Sequence, residues 1–412
     1  MHGRGSMVPL HPNNKWNAVH LLMKERQIGV LALQETHLTE DAVGSLQSMY
    51  GRRLVILSSP SPDKANAKGV AFVLNRDVAN AKDVVMQTVV PGRAILLTLP
   101  WHQSLTLRIL NIYAPNAPQE NEAFWSELSE YWRSSNLPKP DILLGDFNVT
   151  EDAIDRLPAH HDTPGAIEAL HLLKEQLHLQ DGWRATNPST KAYSLLQIAT
   201  GSQSRIDRIY ATEPIIRTAT DWAIQDTPVN TDHRMVSVRV VDQKMPYVGR
   251  GHWTMPLFLL KDKEFADSVH AMGLKLQNDV HSCEGARTEL ENPQALFKQF
   301  KDAVTARARA RAKVMVPKLE AQVKRKQAQL DALLNKQGHE DGYDMEELTL
   351  TASVLQQDIA RLEKLRYQKA RMTTAARYRL EGETISKYWS QVNKEKSPRD
   401  VIFALKAPGA TP

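Results

Sequence analysis

Five short stretches set a chemically able residue directly after or before an apolar run. "LALQETHLT" reaches Glu35, "LNIYAP" carries Asn111 and Tyr113, "LLGDFN" delivers Asp146 and Asn148, "SRIDRIY" holds Asp207, and "NTDHRMVSV" opens on Asp232 and His233. One carboxylate at a strand end is ordinary, because it caps a turn or a helix. So many in one region are not required by folding. Together they supply what hydrolysis of a phosphodiester needs. A hard cation such as Mg²⁺, or Mn²⁺ in its place, takes oxygen ligands, which Glu35 and Asp232 provide. Asp146 can orient and deprotonate a water, with the Asn148 amide holding that water or a phosphate oxygen. Tyr113 and an imidazolium at His233 can donate to the charge developing on phosphorus. Asp207 can fix the His233 ring through its other nitrogen. Arg205, beside the Asp207 strand, could touch a phosphate, with an ordinary exposed arginine as the plain alternative.

Groups of this kind need rigid mounts, and the surrounding sequence offers them. Residues 29–34, 53–58, 69–74, 94–99, 105–113, 141–145, 205–211 and 235–241 are short, apolar and rich in β-branched residues, which predicts strands. Residues 13–27, 119–134 and 164–178 have helical spacing, as in Phe124, Leu128 and Tyr131. Some strands are apolar throughout and others alternate. That mixture predicts an α+β four-layer sandwich of two packed mixed β-sheets flanked by helices, followed by a helical, basic C-terminal region. The expected domain spans residues 1–243, with a linker at 244–256. In the helical region 257–412, Leu319, Val323, Leu330 and Leu333, then Leu355, Ile359, Leu362 and Leu365, sit at three-and-four spacing around the polar "GHEDGYD". This predicts a helical hairpin, or a coiled coil through which copies self-associate.

Composition bounds the function classes. At 412 residues and 42% hydrophobic content the chain can bury a large core. No apolar run approaches the roughly 18–20 residues of a membrane span, and "MHGRGSMVPL" lacks the apolar centre of a secretory signal. A membrane partner is therefore not expected, and an intracellular protein is. Cys283 is the single cysteine, so no internal disulfide or thiolate cluster forms. The net charge of +5 is unevenly placed: from residue 244 onward 29 Lys+Arg stand against 21 Asp+Glu, whereas the front is slightly acidic. Residues 298–326 hold ten Lys+Arg and two acids, the footprint of a phosphate-binding segment or of a solvated charged helix. His160, His161 and Asp162 look like a metal cluster but read better as a polar loop, and Trp125, Trp132 and Trp183 as packing residues.

The ordered set "QETH", "NIYAP", "GDFN", "SRID" and "TDH" resembles the endonuclease/exonuclease/phosphatase superfamily of DNase I-like enzymes. More narrowly, "LALQETHLTED", "LNIYAPN" and "LLGDFNVT" resemble the endonuclease domain of LINE-type non-LTR retrotransposons. The resemblance implies a metal-dependent phosphodiesterase that nicks DNA to leave a 3′-hydroxyl, acting on chromosomal DNA and therefore in the nucleus. It assigns the metal to Glu35 and Asp232, the scissile phosphate to Tyr113, the nucleophile to Asp146 and Asn148, and the His233 partner to Asp207. Ser194, in "AYS", falls where related nucleases hold a hydroxyl near the phosphate. The family's first strand normally ends in Asn-x-Asn-Gly or Asn-x-Asp-Gly. Here Gly3 matches the glycine, so the opening strand is expected to be absent, with a loss of sheet bonds and of one site residue. "RYRLEGETISKYWSQVNKEKSPRDVI" resembles the basic segment that precedes the reverse transcriptase in such reading frames, which implies an endonuclease with its linker and without a polymerase; the tail is expected to be a contact surface for DNA or RNA, or else a solvated, charged helical hairpin. A small-phosphoester hydrolase of the same fold and a catalytically dead relic are the alternatives.

Overall fold

The computed structural model describes residues 3–241, 253–336 and 345–381, with Ser390 and Lys394, apart from short breaks at 8–10, 12, 63–67, 102–104, 254, 284–287, 289–291 and 316–317. The polar turn around "GHEDGYD", most of the expected linker and most of the basic segment at 377–402 lie outside the described residues.

Two sheets form the centre. The first runs β1 (Val30–Gln34), β3 (Val70–Asn75), β2 (Leu54–Ser59), all antiparallel. Among the described residues β1 has β3 as its sole strand partner and so forms an edge. The second sheet runs β4 (Val85–Val90), β5 (Ala94–Pro100), β6 (Thr106–Tyr113), β7 (Ile142–Asp146), β12 (Asp207–Thr212), β9 (Leu179–Asp181). It is mixed, because β6 and β7 are parallel while the other pairs are antiparallel. Short strands β8 (Arg156–Leu157), β10 (Leu195–Leu196) and β11 (Gln203–Ser204) make a third small sheet, and β13 (Thr220–Gln225) pairs with β14 (Met235–Arg239).

The strands that are apolar on both faces explain the layering. On β3, Val70, Phe72 and Leu74 point between the sheets, where they join Ile95, Leu97, Leu99, Ile109, Ile142 and Ile209. Ala71 and Val73 point the other way, onto α1 (Lys15–Glu25) and α2 (Glu40–Tyr50) through Trp16, Val19, Met23, Ala42 and Leu46. On the second sheet Leu96, Leu110, Ile112 and Leu143 meet Phe124, Trp125, Leu128 and Trp132 of α3 (Pro118–Ser134) and Leu170 and Leu173 of α4 (Pro164–Leu177). The order is helices, sheet, sheet, helices. Each fully buried large apolar side chain contributes roughly 2 kcal/mol to that stack. The expected strands and three helices are all present. α2 was not expected, although Thr39 accepts from the Ala42 amide as its cap and Glu40 and Asp41 fill its first turn.

By packing, the chain divides into two units, and the division differs from the expected boundaries. Residues up to Pro246 group with those from Lys326 onward, and Tyr247–Arg325 form the other. In the second unit α7 (Lys263–Ser282) and α8 (Pro293–Val314) pair, with Leu259, Phe265 and Ala308 buried and Arg311 making two 2.9 Å bonds to the Asp262 carboxylate. In the first unit α10 (Met345–Glu381) buries Leu348, Ala352, Ile359 and Tyr367, and the part of α9 (Lys318–Asn335) from Lys326 onward buries Leu330 and Leu334. Four polar residues of α10, Thr349, Ser353, Gln356 and Glu363, lie in the same buried stripe. That stripe is shifted from the one read off the leucines, since Leu365 is exposed. A helix that buries polar groups is docked on partners able to satisfy them, which is why this part groups with the sheets. No helix among the described residues is long and apolar enough to cross a membrane.

Candidate active site

The register of the second sheet assembles the site. Tyr113 on β6 lies opposite Asp146 on β7, and Asp146 lies opposite Asp207 on β12. One row across three strands therefore carries a phenol and two carboxylates. The approach of β6 to β7 depends on Gly145, at φ +141°, because a Cβ there would sit 2.0 Å from the Ile112 carbonyl oxygen. From the end of β1, Glu35 accepts a 2.5 Å bond from the Tyr113 hydroxyl, joining the two sheets at this mouth. Glu35 and Asn148 both adopt positive φ, near +50°. Non-glycine residues take this conformation at a cost, and such strain gathers where side chains must be aimed.

From the opposite side, His233 meets the row. Its Nδ1 lies 2.8 Å from Asp207 Oδ2, and a backbone bridge to Leu195 fixes its position. Ligand atoms of Asp146, Asp207 and His233 all fall within 4.8 Å of one another. Asn148 donates its backbone N–H to Asp146 Oδ1 at 3.1 Å and its amide to the Ala114 carbonyl at 2.9 Å, which holds the side chain beside Asp146. Asp232 is exposed beside His233, and Lys15 at the start of α1 feels the charges of both Asp232 and Glu35.

The electrostatics are those of an acidic site whose charge is only partly compensated, by His233. Burial, then the charge of Asp207, push the Asp146 carboxyl well above the usual carboxylate range in spite of His233 and the Asn148 N–H. Burial alone would lower His233, but the charge and hydrogen bond of Asp207, helped by Asp146 and Asp232, raise it to about 9. Burial, then the bond to Glu35, push the Tyr113 phenol up, so it stays a donor. A divalent cation would relieve the strain on Asp146. Carboxylate oxygens from Glu35, Asp146 and Asp207, with a histidine within reach, are a donor set that fits a hard ion.

The structure thus brings together Glu35, Tyr113, Asp146, Asn148, Asp207 and His233, with Asp232 at the rim. It places Glu35 on Tyr113, whereas the tight group of possible metal ligands consists of Asp146, Asp207 and His233. Two candidates are corrected. Arg205 does not face a phosphate: it is 2% exposed, and its Nε, Nη1 and Nη2 donate to Asp155 and Asp181 at 2.7 Å. Ser194 is fully buried, where its hydroxyl accepts from the Asp207 backbone N–H at 3.0 Å. It braces a site residue and cannot reach a substrate. Asp162, beside the histidine pair at 160–161, accepts from Thr150 and Arg156. Trp125, Trp132 and Trp183 are all buried packing residues. Two residues escaped the sequence reading. Arg93 lies over the Tyr113 ring at 5.4 Å and donates to the Tyr113 carbonyl at 2.9 Å, and Lys15 borders the site. Nothing in "PGRA" or "NNKW" marks them, because their role depends on which strand ends they meet.

The model of the endonuclease/exonuclease/phosphatase family matches residues 12–233. The chain belongs to that family. Its described site lies wholly within the matched span except for Gly3, whose N–H donates to the Glu35 carbonyl at 2.8 Å. Within the wider family, the chain is 34% identical over 186 residues to the transposon TX1 uncharacterized 149 kDa protein of Xenopus laevis, an alignment that takes in 44% of this chain and 14% of that protein. The chain therefore spans a small part of the length of the curated relative it matches. Among solved structures, a 3′ phosphatase from Neisseria bound to product DNA hairpin is 20% identical, with a TM-score of 0.45 over 56% of this chain and 95% of its own. The endonuclease domain of TRAS1, a telomere-specific non-LTR retrotransposon, is 14% identical, with a TM-score of 0.41 over 55% and 92%.

Proposed function

We propose that this chain is a divalent-metal-dependent DNA endonuclease, of the kind encoded by non-LTR retrotransposons, that cuts one strand and leaves a 3′-hydroxyl. The single observation that carries this reading is the row Tyr113, Asp146, Asp207 closed by Glu35 and His233. Each residue has a protonation state matched to a role. Asp146, raised by burial, is a base able to take a proton from an attacking water near neutral pH. His233, protonated up to about pH 9, presents a charged donor to a phosphoryl oxygen, and Asp207 holds its ring. Tyr113, kept neutral, gives its single O–H to Glu35 in this structure and would turn it to a second phosphoryl oxygen once a cation engages Glu35, and Asn148 positions the water. Mg²⁺ or Mn²⁺ bound by Glu35 with the neighbouring carboxylates, Asp232 included, would add charge neutralisation at the phosphate. A chromosomal target implies a nuclear location, and the basic segment at 298–326 is proposed to add sequence-independent contacts to DNA or RNA.

The test is nicking of supercoiled plasmid with Mg²⁺, against chelator and against Asp146→Ala and His233→Ala. The reading requires nicks made by the wild type alone and ends that a DNA polymerase extends. Phosphate release from small esters without nicking would move the substrate to a small molecule. Silence in both assays would mark a dead relic.

A further inference from the structure

The loop that carries Asp232 and His233 is the nine-residue connection between β13 and β14, and it is held from two sides. Inside, two backbone bonds tie it to the β10 region, Arg234 N–H to the Ser194 carbonyl at 2.6 Å and Leu196 N–H to the Asp232 carbonyl at 3.4 Å. Outside, the first and last loop residues face each other: Arg234 Nε lies 3.4 Å from Asp226 Oδ2. Both tail helices reach this closure. Gln356 of α10 donates to Asp226 Oδ1 at 2.7 Å, and Gln327 of α9 accepts from Arg234 Nη2 at 3.3 Å. Lys364, two turns beyond Gln356, donates at 2.7 Å to Asn230 in the middle of the loop.

The identity of the helix residue matters here. Gln356 is 4% exposed in the middle of a 37-residue helix, on a stripe that also holds Ala352 and Ile359. A buried glutamine amide costs free energy unless it finds a partner, and an apolar residue would pack more simply. Its partner is a carboxylate at the base of the site loop. Burial, with Arg234 opposing it and Glu363 adding to it, pushes that Asp226 carboxyl up, so the clasp is sensitive to any donor removed.

We propose that the tail helices, 326–335 of α9 together with α10, are a positioning device for the active site: through Gln327, Gln356 and Lys364 they clasp the loop 226–234 and so fix where Asp232 and His233 stand. The consequence for reactivity rests on the nuclease reading above. The catalytic body of this protein then includes a helix more than a hundred residues past the last site residue, and none of these tail residues touches substrate.

The full chain carrying Gln356→Ala is compared with wild type and with Gln357→Ala, an exposed neighbour on α10. Expected for Gln356→Ala are a fall in kcat for plasmid nicking of about tenfold, the scale of other outer-partner losses, with KM unchanged. Hydrogen exchange should quicken in 226–234 more than elsewhere. The downfield proton resonance of the His233 Nδ1–H bonded to Asp207 should broaden. Unchanged kcat, loop exchange and resonance in a folded Gln356→Ala protein would overturn the proposal, and so would exchange raised equally throughout, which is a loss of stability alone. If Gln356→Ala does not fold, Lys364→Ala leaves the buried stripe intact and must show a smaller loss of the same kind. If wild type makes no nick, the nuclease reading fails, and the exchange and resonance comparison still decides the clasp.

Discussion

Two groups of buried charge sit in this domain, and they are opposites. Around Asp155, every carboxylate has a guanidinium: Arg205 bonds it twice, Arg184 once more, and Arg205 reaches on to Asp181. Nearby, Arg208 donates to the Tyr210 hydroxyl at 2.8 Å, and that hydroxyl donates to Glu151 at 2.5 Å. Although burial alone would raise Asp155, Arg205 and its neighbours hold it below the usual range. Around Asp146 the match is partial: among the described residues the cation that opposes it is His233, which Asp207 already holds. The Asp146 carboxyl is raised, and a second carboxylate stands across the strand pair. Compensated buried charge is architecture, because its electrostatic cost is already offset. Partly compensated buried charge suits something that arrives later, which in the function proposed above is a cation and a phosphate.

The largest effect should come from breaking the partly compensated group. Asp146→Asn removes the proposed base, and nicking should fall by about three orders of magnitude or more, as for the loss of a general base together with a metal contact. Stability should hold or rise at neutral pH, since a raised carboxyl penalises the folded state once it ionises. A urea midpoint lower than wild type, with activity retained, would break the comparison.

Next in size is the compensated group. Arg205→Met leaves Asp155 buried with Arg184 as its remaining close guanidinium, and a buried charge stripped of a partner costs about 3–5 kcal/mol. The midpoint of urea unfolding should drop accordingly. Any nicking by the fraction that stays folded should keep its wild-type KM, because the guanidinium meets no substrate. Raised KM at full stability would instead return Arg205 to the phosphate.

The outcome at Arg205 shows what the sequence could and could not tell. Strands apolar on both faces, such as 69–74 and 94–99, announced two stacked sheets, because only a strand covered on both sides is apolar throughout. β4 escaped notice since it is an edge strand with Val85 exposed, and an edge has no second partner to demand an apolar run. Glu35, Asp146, Asp207 and His233 were legible as chemistry because acids and a histidine at strand ends serve no core. Arg205 and Ser194 were misread, since their partners Asp155 and Ser204 are set by three-dimensional register, and a side chain's neighbours across strands leave no mark on its own stretch of sequence. The clasp at Gln356 was invisible for the same reason: its partner Asp226 lies 130 positions away.

A smaller effect tests the site electrostatics by pH. His233 is raised from its usual value near 6.5 to about 9, so the folded state holds this proton more tightly than the unfolded chain. The stabilisation is fully present below about pH 6.5 and is lost as pH rises to about 9, at most about 3 kcal/mol in all. Asp146 acts in the same sense from the ordinary carboxylate range up to about pH 8, because its raised carboxyl also favours the protonated folded state. Urea midpoints of wild type should therefore decline steadily on the alkaline side. His233→Gln should make the decline between about 6.5 and 9 shallower, with Asp146 still contributing up to about 8, and leave the earlier part. Parallel declines in both proteins would mean that His233 is not held charged by Asp207.

The smallest expected effect separates bracing from binding at Ser194. Its hydroxyl accepts the Asp207 N–H at 3.0 Å and lies 3.4 Å from the Ser204 carbonyl, where β12 begins. Ser194→Ala leaves a buried N–H without that acceptor, at a cost of about 1 kcal/mol, read as a lowered Tm. Since Asp207 orients His233, a modest loss of kcat should follow while KM for DNA stays put. A hydroxyl in contact with phosphate would behave in the reverse way, with Tm kept and KM raised. Ser194→Thr adds a methyl to a site with no exposure, so it should cost stability despite keeping the hydroxyl. A phosphate-facing position would accept it freely, and that contrast between Ala and Thr distinguishes the two roles without relying on the size of either change.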